Sequence, residues 1–218
     1  MTIALYEHPL SSYAQKAKTA FYEKGVAFES KLLDGSEPVA SEFAALSPLG
    51  KFPLVTDGDR VIFESTAIIE YLDVAFPDTP PLIPADPMTA VEARMWDRFF
   101  DNYFQTPFQR IVGKAIGREV CDELKLRGQL ETAYAMLDNH MAGREWAVGD
   151  AFSIADCSAA PALLYADWTH AIPKEHTDVW AYRDRLLARP SYARALHEAR
   201  PYRHMFPLGA PEGRDQDF

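Results

Sequence analysis

Cysteine is nearly missing from this chain. Cys121 and Cys157 stand alone and far apart, in neither a CxxC nor a metal-ligand pattern. A disulfide framework is thereby excluded, and reduced thiols in a reducing compartment are expected. Histidine is thin and scattered: His8, His140, His170, His176, His197 and His204 show no metal spacing, so they read as surface or structural residues and no metal is expected. Long apolar runs are also lacking. None approaches the roughly 20 residues that a bilayer-spanning helix needs, which argues against a membrane partner. Basic charge is in deficit, with 22 Lys and Arg against 32 Asp and Glu and a net charge of -10, and the basic residues form no stripe. Such a surface repels phosphate backbones, so nucleic acid is not expected as a partner. The opening "MTIALYEHPL" has no basic leader, extended apolar segment or small-residue cleavage site, and the expected location is cytoplasmic.

What is present is the composition of a soluble globular protein, 48% hydrophobic and 25% charged over 218 residues, a length that suits two modest domains. "TIALY" reads as a strand. Ser11 or Ser12 then caps a helix running to about Lys24, where Gly25 is placed to end it. "VAFESKLL" is a second strand, "SEFAALSP" a short helix, and "FPLVTDGDRVIFES" two strands joined at Asp57-Gly58. In "STAIIEYLDVAF", Ile68, Leu72 and Phe76 share one helical stripe, which Pro77 stops. The order βαβαββα over residues 1–77 predicts a small mixed sheet with helices.

Five prolines between 77 and 87 resist helix and sheet alike, so residues 78–87 read as a stiff linker. Beyond it the strand signal fades. Trp96, Phe99, Phe100, Tyr103 and Phe104 recur at helical spacing, as do Leu126, Leu130, Ala133, Tyr134, Leu137 and Met141, which predicts an all-helical domain over 88–205 and a polar tail over 206–218. Within it, "FSIADCSAAPALLYA" offers Ser153 and Asp156 as a reciprocal cap, Phe152 and Cys157 as a hydrophobic staple, and a helix apolar on nearly every face that Pro161 should bend.

Four segments in this order carry a resemblance: "LYEHPLSSYAQKAK", "GKFPLV", Glu64-Ser65, and "FSIADCSAAPAL". Together they span most of the chain, and the chain resembles the serine-type cytosolic glutathione transferases. The resemblance implies an α/β plus all-α architecture, with a thioredoxin-like first domain and a helical second one. It also implies a homodimer, glutathione as co-substrate, no other cofactor, and conjugation of glutathione to a small hydrophobic electrophile. By the same resemblance Ser11 donates a hydrogen bond to the glutathione sulfur. Ser12 competes for that role, and Tyr6 does so more weakly.

The chemistry fits those residue types. A free thiol has a pKa near 8.5, so a site that works on the thiolate must favour the anion, and a hydroxyl beside a helix N-terminus does so. Serine in this setting also simply caps helices. The resemblance further gives Pro53 a cis bond that presents the Phe52 backbone to the cysteinyl residue, and sets Lys51 near a ligand carboxylate. Ser65 would take the γ-glutamyl carboxylate at a helix start, with Glu64 orienting the γ-glutamyl amine. Candidate walls for the second substrate are Tyr103, Phe104, Phe108, Tyr165 and Trp168, although such an aromatic stripe also suits a core. Asp97 and Asp101 either approach a neighbouring subunit's ligand or pair with Arg94 and Arg98 on a wet face. Two other functions keep the same fold: a glutathione-dependent isomerase or dehalogenase, and a binding or partner-docking module without turnover. Against the isomerase, Tyr13 stands where zeta-type isomerases carry cysteine.

Overall fold

The computed structural model describes residues 3–212. Strand β1 (Ala4–Glu7) leads into helix α1 (Ser12–Lys24), and strand β2 (Glu29–Leu32) into helix α2 (Val39–Leu46). Strands β3 (Leu54–Asp57) and β4 (Arg60–Phe63) then precede helix α3 (Ser65–Ala75). The sheet order is β2-β1-β3-β4, with β1 parallel to β2 and antiparallel to β3, and β3 antiparallel to β4. This is the thioredoxin-like arrangement. Strand alternation sorts its two faces: Ile3 and Leu5 join the main core under α1 and α3, whereas Ala4 and Tyr6 pack with Leu54 against Val39, Phe43 and Leu46 of α2.

Local signals account for the element ends. Gly25, at φ 63°, closes α1 with its N–H on Phe21 and Tyr22 carbonyls, and Val26 N–H also returns to Phe21. The β3–β4 register pairs Asp57 with Arg60, which leaves Gly58 and Asp59 as a two-residue turn. Strand β2 is shorter than the Val26–Leu33 expected. Helix α2 lies two residues earlier than expected, because Ser47, before Pro48, is held out of the helical region.

The second domain is all helical. It comprises α4 (Pro87–Phe100), a π-helical turn (Asp101–Gln105), α5 (Thr106–Ala115), α6 (Glu123–Met141), α7 (Ile154–Thr169), α8 (Thr177–Ala188), α9 (Pro190–Ala199) and a 3-10 turn (Arg200–Met205). None of these helices is long and apolar enough to cross a membrane. Helix α7 is buried along its whole length and runs on through Pro161. Its capping box is formed: the Asp156 carboxylate accepts from the Ser153 N–H at 2.8 Å, the Ala147 N–H at 2.9 Å and the Tyr182 hydroxyl at 2.5 Å. Burial pushes the Asp156 carboxyl upward against the pull of those donors.

The π turn has a sequence cause. Pro107 has no N–H for the Tyr103 carbonyl and its ring would collide with it, so the chain widens by one residue and Thr106 N–H bonds back to Asp101. Between the domains, the Asp73 carboxylate takes the Leu82 and Ile83 N–H groups and the Lys24 ammonium, which pins the proline-rich segment. The expected polar tail begins with a core residue. Phe206 is buried against Tyr165 and Trp168, because its ring fills the gap between α7 and the 3-10 turn; residues 213–218 of that tail lie outside the described residues.

Candidate functional site

The turn after β1 closes with Ser11 N–H on the His8 carbonyl at 2.8 Å. Ser11 is the N-cap of α1: its backbone is extended and its Oγ accepts from the Ala14 N–H at 3.3 Å. A hydroxyl that accepts through a lone pair keeps its own hydrogen, so capping leaves Ser11 able to donate. Ser12 is buried, and its Oγ accepts from Gln109 Nε2 of α5 at 3.5 Å. Tyr13 follows. Its phenol is pushed well up, chiefly by burial and next by the nearby Asp101 carboxylate.

Tyr13 stands on a cleft of about 570 Å³ between the two domains, a volume suited to a small ligand. Lys51, Phe52 and Pro53 border it from the loop before β3, and Glu64 and Ser65 from the start of α3. Arg98, Asp101, Asn102 and Gln109 face them from the helical domain. The Phe52-Pro53 peptide is cis. Ser47 Oγ accepts from the Lys51 N–H and donates to the Lys51 carbonyl, which folds the preceding loop. Glu64 has φ 69°, and no other non-glycine residue among those described has a positive φ. That backbone costs on the order of 1 kcal/mol or more and sets the first turn of α3, with buried Ser65, at the edge of the cleft. A helix N-terminus there favours an anion.

The structure therefore brings Lys51, Phe52, Pro53, Glu64 and Ser65 together. Neither Ser11 nor Ser12 lines the cleft itself; they adjoin it through Tyr13 and Gln109. Tyr6 is turned away. Its ring packs against Phe43 on the opposite sheet face and its hydroxyl donates to Glu42 Oε2 at 3.2 Å, because strand alternation sends it there.

The five aromatic residues expected as walls do not gather at this cleft. Phe104 is fully buried and packs on Phe99, Phe100 and Tyr134. Phe108, Tyr165 and Trp168 are buried core residues, with Phe108 stacked on Tyr165. Tyr103 is exposed and borders a separate depression with Met95 and Met136. The helical periodicity reported the bundle core. The Asp97 and Asp101 reading needs a second correction, since both acids are buried, bonded to Lys16 of α1 and to Arg98, while Arg94 pairs with Glu70.

A larger groove of about 690 Å³ lies along the C-terminal half of α1, lined by Phe21, Tyr22, Phe28, Lys18 and Glu198 among others. None of the expected site residues borders it, so the smaller cleft is the better candidate. Sequence reasoning missed Tyr13, Arg98, Asn102 and Gln109 as cleft residues. The "SSY" run offered a signal for Tyr13 alone.

Comparison with known proteins places the chain in a family. Residues 5–80 match the profile described as glutathione S-transferase, N-terminal domain, and residues 99–190 that of the glutathione S-transferase C-terminal domain. The two matches together cover most of the chain. This protein belongs to the glutathione S-transferase family. Among its relatives, a stringent starvation protein A homolog of Coxiella burnetii is 28% identical over 199 residues, covering 90% of this chain and 92% of that one. Glutathione S-transferase 1 of Dianthus caryophyllus is 44% identical over 84 residues, 38% of either chain. The crystal structure of a glutathione S-transferase from Rhodospirillum rubrum superposes with a TM-score of 0.80 at 25% identity over the full length of both.

Proposed function

We propose that this protein is a serine-type glutathione transferase that joins the glutathione thiolate to the electrophilic carbon of a small hydrophobic molecule. The observation that carries the reading is the convergence of Lys51, Phe52, Pro53, Glu64 and Ser65 on one cleft beside the Ser11-capped end of α1. The Phe52 backbone would pair with the cysteinyl residue in extended form. Ser65 and the α3 N-terminus would hold the γ-glutamyl carboxylate, with Glu64 near the amine and Lys51 near the other carboxylate. Ser11 donates its remaining hydrogen to the sulfur. The thiol proton passes to solvent, the sulfur lone pair forms the S–C bond, and the leaving group departs with its bonding electrons. The protein contributes positioning and stabilisation of the anion.

The same reading includes a homodimer. Val61 and Phe63 of β4, Val74 of α3, and Met88, Val91 and Met95 of α4 are exposed apolar side chains, and the half-exposed Arg94–Glu70 pair ties α3 to α4. Sedimentation as a single 24.5 kDa species would remove this part.

A second reading, binding without turnover, is favoured by one observation: a relative that covers 90% of the chain carries the name of a stringent starvation protein. Calorimetric titration with glutathione, combined with turnover of a general aryl halide, separates the two. Binding with turnover is the expected result, binding alone supports the second reading, and no binding overturns both.

A further inference from the structure

We propose that Lys16 is a positioning residue through which the helical domain holds the γ-glutamyl end of the cleft. The inference rests on the reading of that cleft as a glutathione site. Lys16 lies in the middle of α1 and is wholly buried (0% exposed), where a charge persists only if it is paired. Its ammonium lies 2.6 Å from Asp97 Oδ1, 2.9 Å from Asp101 Oδ2 and 2.9 Å from Thr66 Oγ1. Lys16 donates to Thr66 and to Asp101, and stands in ion-pair contact with Asp97 Oδ1. The acids belong to the helical domain, but Thr66 belongs to α3 and directly follows Ser65.

Thr66 is held from two directions. Its oxygen accepts from Lys16 and from Arg98, and its hydrogen goes to Asp97 Oδ2 at 2.9 Å. The acids are fixed in turn: Ser158 of α7 donates to Asp101 Oδ1 at 3.1 Å, and Arg98 donates to both carboxylates. Two cations face two anions, so the cluster brings no net charge to the cleft and acts through geometry. An ion pair serving only to join the domains has no need of a hydroxyl from the first turn of α3. Here that hydroxyl belongs to the residue next to the proposed carboxylate anchor. The cluster therefore sets where Ser65 and the α3 N–H groups stand, and its loss weakens glutathione affinity more than it slows the bound thiolate.

The test measures the glutathione Kd by calorimetry and turnover at saturating glutathione for Lys16→Met, Thr66→Val and Thr66→Ser. Thr66→Val leaves Lys16 paired with its acids, so it reports even if Lys16→Met fails to fold. Thr66→Val and folded Lys16→Met are expected to weaken binding about tenfold, as for one hydrogen bond to a charged group, with turnover at saturation within about twofold. Thr66→Ser, which keeps the hydroxyl, should bind like the wild type. Unchanged affinity in Thr66→Val overturns the proposal, as does equal loss of affinity and saturated turnover, or a Thr66→Ser protein as weak as Thr66→Val. If the protein binds glutathione without turnover, the Kd comparison alone decides. A wild type that binds no glutathione overturns the reading of the cleft itself.

Discussion

Replacing Ser11 separates its two duties. Its Oγ caps α1 through Ala14 N–H at 3.3 Å, and in the proposed function its hydrogen goes to the sulfur. Ser11→Ala removes both, whereas Ser11→Gly removes the hydroxyl but costs the helix only a few tenths of a kcal/mol, against about 0.5–2 kcal/mol for alanine. A hydrogen bond to a charged acceptor is worth about 1.5–3 kcal/mol, which lowers the thiol pKa by about 1–2 units if it forms only with the thiolate. From an ordinary value near 8.5, the thiolate fraction at pH 7 then rises from about 3% to roughly a quarter or three quarters. Both variants should therefore turn over roughly 8 to 25 times more slowly at pH 7 and glutathione saturation, from the same arithmetic. Because the hydrogen bond favours the anion, its loss moves the acid limb of the pH–rate profile upward, and the deficit should close above about pH 9.5. Ser11→Ala alone should also melt lower, by about 2–4 °C for each kcal/mol of lost cap. The assay is a pH series of turnover beside a melting curve for each variant. An unshifted acid limb, or a larger loss in Ser12→Ala, refutes the assignment.

Ser65→Ala should weaken glutathione binding about tenfold or more and leave saturated turnover nearly intact, since an anchor acts alike on ground and transition states; calorimetry with steady-state kinetics checks this. Asp156→Ala strands buried donors from Ala147, Ser153 and Tyr182, each costing about 1–3 kcal/mol, so Tm should fall by at least about 6 °C without a change in glutathione affinity. Phe104→Ala should cost about 3–5 kcal/mol in denaturant unfolding as a core truncation, while the KM for an aryl electrophile stays put; a changed KM at unchanged stability would return Phe104 to the cleft.

Much of the first domain was legible because its signals are local. Gly25 ends α1 and Gly58 makes the hairpin turn, and in the second domain the Ser153–Asp156 box starts α7 in the same way, each decided by residues a few positions apart. The lysines of α1 were not legible in this way. "SSYAQKAKTAFYEKG" looks like a basic solvated helix, yet Lys16, Lys18 and Lys24 are all buried, on acids as distant in sequence as Asp97, Glu198 and Asp73. No periodicity carries such a pairing. The π turn was an intermediate case, since Pro107 announces a fault in the helix but not its form.

The same distinction divides the cleft. Its first-domain side is built by backbone devices, a proline after Phe52 and a helix start at Ser65, which short motifs make legible. Its other side depends on which face α4 and α5 turn toward α1, and packing of the whole bundle sets that. The apolar stripe of α4 and the π turn goes into the bundle because Phe100 and Phe104 find α6 and α7 there. What remains to face the first domain is the opposite set, Arg98, Asn102 and Gln109, with Asp101 at the margin. The apolar surface left in the cleft comes instead from Leu46, Leu49, Phe52 and Phe63 of the first domain. An electrophile that seats its hydrocarbon part on those side chains presents its other face to two carboxamides and a guanidinium. Selection among electrophiles should accordingly respond to Gln109→Leu and Asn102→Leu, and not to changes in Tyr165 or Trp168 that preserve the core.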